Sequence, residues 1–285
     1  AIKPNCQPVE RQIQRSLVEN GYSASLAEEP FELWELRGSR GGLLKARFYP
    51  WGNNEKIMLV THGYNAPWIS MLKYLPMLRE FGFAVLMPDH QAQGLSEGKY
   101  ITFGVLESRD MQKWVQFHND RFGCHPVVLS GLSMGASTVL MAAGNQLPPN
   151  VIGVLADCGF TSAREIMMDV MKNQMKLPPK LCYPFVKLGA RLFGHFDLEE
   201  TTAAEAMKHC RLPVFFIHGE DDRFVPWDMT RRCYEACQGP KYFFSVPGAG
   251  HGMGYLMDTD GYRRELTKFS RENNIPIENY WEKGE

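Results

Sequence analysis

Residues 131–135 carry the pattern Gly-x-Ser-x-Gly, with Ser133 at the centre. An apolar, β-branched run precedes this pattern, and the helix-prone segment 136–143 follows it. A serine on a sharp turn between a strand and a helix exposes its hydroxyl, and the two glycines leave the room that such a turn needs. A serine that only caps a helix would explain Ser133 but neither glycine. The setting therefore predicts a nucleophilic serine.

A serine hydroxyl is a poor nucleophile at neutral pH and needs a base, which in turn needs an orienting carboxylate. Of the eight histidines, His251 stands out because it lies in the glycine-rich loop 247–252, just after the last strand-like run. The carboxylate candidates are Asp221 and Asp222, which also follow an apolar strand-like run. Side chains just past the ends of parallel strands gather at one edge of an open α/β sheet. The chain order is then Ser133, an aspartate and His251.

The elements that must position these groups alternate along the chain as short apolar runs and longer helical stretches. This alternation predicts an open α/β sheet with right-handed crossovers. The first two runs alternate apolar and polar residues, which predicts an antiparallel pair, whereas the later runs are continuously apolar, as is typical of parallel strands covered on both faces. Eight strands are predicted at 31–37, 43–49, 57–61, 84–87, 127–130, 151–156, 214–218 and 242–246, and helices at 71–80, 106–121, 133–145, 227–236 and 255–271.

Composition limits the function classes. With 31 Lys and Arg against 32 Asp and Glu, the net charge of −1 gives no strong field to attract phosphate backbones or anionic lipid. No apolar run approaches the length of a bilayer span. The seven cysteines show no metal-ligand spacing and no disulfide framework, so we expect no metal or organic cofactor. Together with a chain start that lacks a signal-like segment, this favours the cytoplasm.

From about residue 34 to residue 269 the chain resembles the α/β hydrolases, and among them the serine hydrolases related to monoacylglycerol lipase and prolyl oligopeptidase. The resemblance implies an α/β-hydrolase fold, with a mostly parallel eight-stranded sheet and helices on both faces. It rests on motifs in a fixed order: Thr-His-Gly-Tyr at 61–64, Asp-His at 89–90, Gly-Leu-Ser-Glu-Gly at 94–98, the serine pattern, Asp-Cys-Gly-Phe-Thr-Ser at 157–162, His-Gly-x-x-Asp-x-x-Val-Pro at 218–226 and Gly-His-Gly at 250–252.

The resemblance also implies roles for single residues. The family's acid lies four residues after the histidine of the His-Gly motif, which selects Asp222. The backbone N–H groups of Tyr64 and Met134 would form an oxyanion hole, while the Tyr64 ring either adds a hydroxyl contact or lines the pocket wall. His62 would brace the oxyanion loop. Where relatives show Arg-Gly-His, this chain has Gln-Ala-Gln at 91–93, so we expect different hydrogen bonds at the rim of the site.

One long insertion breaks the alternation of strands and helices. Residues 163–207 show no strand pattern, contain several methionines and lie where α/β hydrolases carry a lid. The resemblance therefore divides the chain into an N-terminal helical extension (1–30), a hydrolase core (31–162 and 208–285) and a helical lid (163–207). We expect four side chains to line an apolar substrate cavity, with core packing as the alternative for each of them: Trp68, Phe160, Met167 and Met171.

These observations predict a serine hydrolase that acts on small-molecule carboxylic esters with an apolar acyl or aryl portion through an acyl-enzyme. A small-peptide or amide hydrolase and an acyltransferase need the same residues and remain alternatives. A non-catalytic binding module on the same fold is a further alternative, although such a module usually has a damaged triad. Neither nucleic acid nor a transmembrane segment is expected, and the sequence does not predict the oligomeric state.

Overall fold

The computed structural model describes residues 24–66 and 68–278. Eight strands form one sheet in the order β1-β2-β4-β3-β5-β6-β7-β8. The pairs β1–β2 and β2–β4 are antiparallel, and every other pair is parallel. All eight predicted strands are confirmed to within two residues at each end. They are β1 Glu32–Arg37, β2 Leu43–Tyr49, β3 Ile57–Thr61, β4 Ala84–Pro88, β5 Val127–Leu132, β6 Val151–Asp157, β7 Val214–Gly219 and β8 Lys241–Val246.

The central strands are buried on both faces, as their continuous apolar sequences predict. In β3 every residue is buried, and successive side chains enter opposite layers of the core. Ile57 and Leu59 pack into one layer, whereas Met58 and Val60 pack into the other. The two layers are covered by helices, so the mostly parallel sheet with helices on both faces is present as expected.

The helices differ from their predicted bounds where the backbone turns. The segment 71–80 is a 3₁₀ helix, Trp68–Tyr74, followed by a short α-helix. The segment 255–271 is two helices, because the backbone at Asp258 is not helical and the Asp258 side chain caps the second helix. The α-helices are α1 Leu75–Glu80, α2 Glu107–Phe122, α3 Met134–Ala143, α4 Ala163–Asn173, α5 Pro179–Gly189, α6 Ala203–His209, α7 Trp227–Ala236, α8 Gly254–Met257 and α9 Thr259–Glu272.

The insertion 163–207 is helical, and the structure describes all of it. It contains α4, α5, a π-helical turn Ala190–Gly194 that continues α5, and the first five residues of α6. A small core of its own holds α4 and α5 together around Met171 and Tyr183. Its role as a lid stays a prediction, and the predicted N-terminal extension lies mostly outside the described residues. In the two described ranges, no helix has both the length and the apolar character needed to cross a membrane.

Candidate active site

Ser133 lies on the sharp turn between β5 and α3. Its φ of 57° and ψ of −115° are strained for a residue with a side chain. A Cβ on Gly131 would lie 2.3 Å from the backbone of Gly135, and a Cβ on Gly135 would lie 2.3 Å from the carbonyl oxygen of Thr61. Only glycine fits both positions. The backbone N–H of Ser133 donates to the carbonyl oxygen of Asp157 at 2.8 Å, which ties the turn to β6.

The imidazole of His251 links Ser133 to Asp222. Its Nε2 lies 2.9 Å from Oγ of Ser133, and its Nδ1 lies 2.7 Å from Oδ2 of Asp222. A carboxylate only accepts hydrogen bonds, so Nδ1 carries the proton and Nε2 faces the hydroxyl as an acceptor. The structure therefore brings together Ser133, Asp222 and His251, the three side chains that the sequence predicts to act together.

The carboxylate of Asp222 is buried and accepts hydrogen bonds on both oxygens. Oδ1 accepts the backbone N–H groups of residues 224–225 at 2.8 and 2.9 Å, and Oδ2, which accepts from His251, also lies 3.1 Å from Nε2 of His218. Burial raises the pKa of this carboxyl, but the hydrogen bonds from His218 and His251 outweigh burial and hold the pKa of Asp222 below its ordinary value. Asp221, the other candidate, is exposed.

His218 is a buried partner of the Asp222 carboxylate. The sequence identifies His218 only as the first residue of the motif at 218–226. The hydroxyl of Thr230 donates its proton to the carbonyl oxygen of Gly159 at 2.7 Å, so it accepts from Nδ1 of His218, also at 2.7 Å. Nε2 faces two more acceptors, the carbonyl oxygen of Val225 at 3.0 Å and Asp222. The buried ring of His218 therefore links the Asp222 carboxylate to Thr230, which in turn bonds Gly159.

The peptides of the two predicted oxyanion donors pass close to Ser133. Met134 is the first residue of α3, where N–H groups have no partner within the helix. A Cβ on Gly63 would lie 3.3 Å from Cβ and 3.7 Å from Oγ of Ser133, so the peptide that joins Gly63 to Tyr64 passes close to the serine. In the described part of the chain, neither the N–H of Tyr64 nor that of Met134 donates to another protein atom. Both predicted oxyanion donors thus lie next to Ser133.

His62 holds the Tyr64 peptide in place. Its Nδ1 donates to the carbonyl oxygen of Gly63 at 2.8 Å, and its Nε2 accepts the backbone N–H of His90 at 3.1 Å. Burial lowers the pKa of His62, which outweighs the opposite effect of Asp89 and favours the neutral ring that these bonds require. The carbonyl and N–H of one trans peptide point in opposite directions. The bond to Gly63 therefore also sets the direction of the Tyr64 N–H.

The rim loop 91–93 makes hydrogen bonds to two distant parts of the chain. Oε1 of Gln93 accepts the backbone N–H of Asn65 at 2.8 Å and so braces the oxyanion loop from the other side. The amide of Gln91 lies 3.5 Å from the buried carboxylate of Glu107. The sequence predicts altered bonds here but not their partners, because both partners depend on how distant loops meet.

Two cavities open on Ser133. The first has a volume of about 350 Å³ and an apolar wall to which the insertion contributes. The second has a volume of about 370 Å³ and lies on the side of His251. The first is lined by Phe103, Phe160, Ile166, Met167, Val170 and Met171 among others, and the second by Ser70, Lys73, Gly252, Met253 and Leu256 among others. The rings of Tyr64 and Phe224 border both.

Of the four predicted lining residues, Phe160, Met167 and Met171 lie in the wall of the first cavity. Trp68 lines neither cavity, which corrects the prediction. Its ring is buried under the guanidinium of Arg47 at 4.1 Å, because the 3₁₀ segment that begins at Trp68 turns the ring into the core. The Tyr64 ring stacks on Phe103 at 5.3 Å and forms part of the cavity wall.

Lys73 is a buried cation in the wall of the second cavity. Its Nζ donates to the carbonyl oxygen of Gly252 at 2.5 Å and so anchors the loop that carries His251. Burial lowers the pKa of Lys73, and the nearby carboxylate of Asp157 opposes this shift. Nothing in the predicted helix 71–80 distinguishes this lysine from a surface residue, so its place in the site was not predictable from the sequence.

Among the described residues, Cys158 forms with Asp222 and His251 the one group of three side chains that is spaced closely enough to hold a metal ion. Its Sγ, a carboxylate oxygen of Asp222 and a ring nitrogen of His251 all lie within 4.8 Å of one another. Two ligands of a tetrahedral metal at roughly 2.1 Å stand about 3.4 Å apart. The observed 2.7 Å between Asp222 and His251 is instead the length of a hydrogen bond.

Sequence comparison identifies the family of the chain. Residues 52–195, just over half of the chain, match the family model described as serine aminopeptidase, S33. Relatives include uncharacterized protein YqkD of Bacillus subtilis, 28% identical over 78% of this chain and 73% of that protein. Protein ABHD12B of Homo sapiens is 26% identical over 64% of this chain and 51% of that protein.

Solved structures show the same fold. A Pyrococcus furiosus esterase, Pf2001, superposes with a TM-score of 0.69 at 20% identity, covering 88% of this chain and 96% of that one. Mouse alpha/beta hydrolase domain-containing protein 10 gives a TM-score of 0.59 at 18% identity, covering 85% and 99%. The family match confirms the α/β-hydrolase resemblance that the motifs indicated. The chain belongs to the serine aminopeptidase S33 family within the α/β-hydrolase superfamily of serine hydrolases.

Proposed function

We propose that this hydrolase cleaves carboxylic esters with an apolar acyl or aryl portion through an acyl-enzyme on Ser133. The observation that carries the proposal is the continuous hydrogen-bonded chain from Asp222 through His251 to Oγ of Ser133, beside an apolar cavity. Such a chain is the arrangement that turns a serine hydroxyl into a nucleophile.

In the first half of the reaction, Oγ of Ser133 attacks the ester carbonyl while Nε2 of His251 takes the serine proton. Asp222 stabilises the imidazolium that results. The N–H groups of Tyr64 and Met134 bind the negative oxygen of the tetrahedral intermediate. When this intermediate collapses, the carbon–oxygen bond to the alcohol breaks, His251 returns the proton to the alcohol oxygen, and the acyl group stays on Ser133.

In the second half, water replaces the alcohol. His251 removes a proton from the water, whose oxygen attacks the acyl carbon of the acyl-enzyme. The second tetrahedral intermediate uses the same oxyanion donors, and its collapse releases the carboxylic acid and returns the proton to Ser133. Acyl transfer would differ only in admitting an alcohol in place of this water.

In this proposal each cavity holds one part of the substrate. Because His251 must hand its proton to the departing oxygen, the alcohol part belongs on the His251 side, in the second cavity. The acyl part then occupies the first cavity, whose wall is apolar. This placement supports an ester with an apolar acyl portion.

The family description favours a second candidate, removal of an amino acid from a small peptide. An aminopeptidase needs negative charge to hold the free ammonium group of its substrate. Among the described residues that line the two cavities there is no aspartate or glutamate, and Lys73 would repel an ammonium group. The ester reaction is therefore the better supported of the two.

A panel of p-nitrophenyl esters of increasing acyl length, assayed beside aminoacyl p-nitroanilides, tests the proposal. We expect turnover of the esters and little turnover of the anilides, and loss of ester turnover in the Ser133→Ala variant. Preferential turnover of the anilides would replace the proposal with the peptidase. A folded wild type that turns over neither class would point to a binding module.

A further inference from the structure

The insertion carries an exposed apolar face that packing does not cover. Leu181 and Phe185 of α5 are 65% and 69% exposed, and Leu188 and Leu192 are 52% and 58% exposed. The spacing of four, three and four residues places these side chains along one side of α5 and the π-helical turn that continues it. Scattered exposed leucines are ordinary, but a stripe of large apolar side chains marks an interaction surface. We call these four residues the apolar face.

The opposite side of α5 is fixed to the protein. Tyr183 is the buried residue of this helix, and its hydroxyl donates to the carboxylate of Glu199 at 3.0 Å. Lys187 bonds the same carboxylate, and Arg191 pairs with Asp197. These contacts set the rotation of α5 about its axis, so the apolar face points away from the core rather than into it.

Exposed lysines precede the apolar face in the chain. Residues 172–195 contain five Lys and Arg residues, of which Lys187 and Arg191 are paired with Glu199 and Asp197. Lys172, Lys176 and Lys180 are exposed, and none forms an ion pair with a described residue. The net charge of −1 for the whole chain does not reveal this local excess of positive charge.

The apolar face is continuous with the wall of the first cavity. Met175 and Val186 are 58% and 38% exposed, and both also line the cavity that opens on Ser133. Val186 directly follows Phe185 on α5. The wall of the first cavity therefore reaches the edge of the apolar face at Val186.

We propose that the apolar face docks on an anionic lipid surface and presents the first cavity to it. Leucine and phenylalanine side chains enter the boundary of the acyl region, while lysines pair with headgroup phosphates, as in helices that lie in the interface of a membrane. A second copy of this chain fits less well, because a two-fold contact uses the same patch on both copies, and Lys172, Lys176 and Lys180 would gain no carboxylate partner from residues 172–195 of the other copy.

Vesicle co-sedimentation tests the docking without relying on turnover. We expect the wild type and Ser133→Ala to bind vesicles of phosphatidylcholine with about 30% phosphatidylglycerol equally well, and to bind pure phosphatidylcholine more weakly. Leu181→Ser combined with Phe185→Ser should weaken binding about 10-fold or more. Changing Lys172, Lys176 and Lys180 to glutamine should remove the preference for anionic vesicles. Leu33→Ser, at a residue 45% exposed on β1, is the matched control and should bind as the wild type does.

Equal binding by the wild type and the Leu181→Ser/Phe185→Ser variant, or no binding by the wild type, overturns the proposal. A vesicle-free dimer in analytical ultracentrifugation that this double variant dissociates would assign the apolar face to a second copy instead. Delivery of substrate through the face rests on the proposed ester hydrolysis, but the docking does not. Vesicle binding without esterase activity would therefore refute the function and leave the docking intact.

Discussion

Nζ of Lys73 donates a hydrogen bond at 2.5 Å to the carbonyl oxygen of Gly252, the residue that follows His251. The two residues are far apart in the chain, and the bond is buried. It joins the 3₁₀ segment before α1 to the loop that carries the candidate base. The position of His251 relative to Ser133 thus depends on a cation that does not belong to the candidate triad.

Replacing Lys73 with methionine should lower both kcat and stability. The change keeps an apolar chain of similar length, removes the donor to Gly252 and leaves the buried carboxylate of Asp157 without its compensating charge. We expect a loss of about 1–3 kcal/mol in the free energy of unfolding and a roughly 10-fold fall in kcat, because a small misplacement of a reacting group is costly. Urea unfolding and p-nitrophenyl butyrate hydrolysis measure the two effects.

The matched control combines Lys73→Met with Asp157→Asn. Neutralising Asp157 should restore much of the stability, since no uncompensated charge then stays buried, but kcat should remain low because Gly252 still lacks its donor. Full recovery of kcat in this double variant would show that Lys73 does not position the His251 loop.

Acid should destabilise the protein through His62 and His90. Burial lowers the pKa of both imidazoles, so the unfolded chain takes up protons near the ordinary pKa of 6.5 while the folded chain does not. The two histidines therefore contribute to the free energy of unfolding above pH 6.5, and this contribution is lost as the pH falls from 6.5 through their lower pKa values in the folded state. Urea unfolding from about pH 7 to about pH 5 should show a shallower pH dependence for His62→Asn than for the wild type. Parallel curves would argue against this role of His62.

Asp222 and its neighbour Asp221 provide a paired test of the acid. Asp222→Asn should reduce kcat by about 10⁴, because an amide at this position favours the wrong tautomer of His251. Asp221→Asn changes an exposed carboxylate and should leave kcat within about 2-fold of the wild type. Steady-state kinetics on one ester suffices. Similar losses in both variants would mean that the acid has been misassigned.

Bulk added to either cavity should change selectivity for one part of the substrate. Val170→Trp narrows the first cavity, so kcat/KM for a long acyl chain should fall about 10-fold or more relative to the acetyl ester. Leu256→Trp narrows the second cavity and should discriminate among alcohols at constant acyl length. If Leu256→Trp instead selected by acyl length, the assignment of the two cavities would be reversed.

The strands and the serine turn were predictable from the sequence because their causes are local. Buried parallel strands such as β3 need continuous apolar runs, and the turn at Ser133 needs glycine on both sides. Lys73 and Trp68 were not predictable, since the burial of each depends on packing that the sequence does not display. The division of the predicted helix 255–271 at Asp258 was also not predictable, because the residues on both sides of Asp258 have a helical pattern.

Reaction with a fluorophosphonate probe, followed by mass spectrometry of the labelled peptide, tests most directly whether the hydroxyl of Ser133 is activated by His251. We predict rapid covalent labelling of the wild type on Ser133, no labelling of Ser133→Ala, and severely slowed labelling of His251→Ala. An unlabelled but folded wild type, or labelling that is unaffected by the loss of His251, would contradict the account.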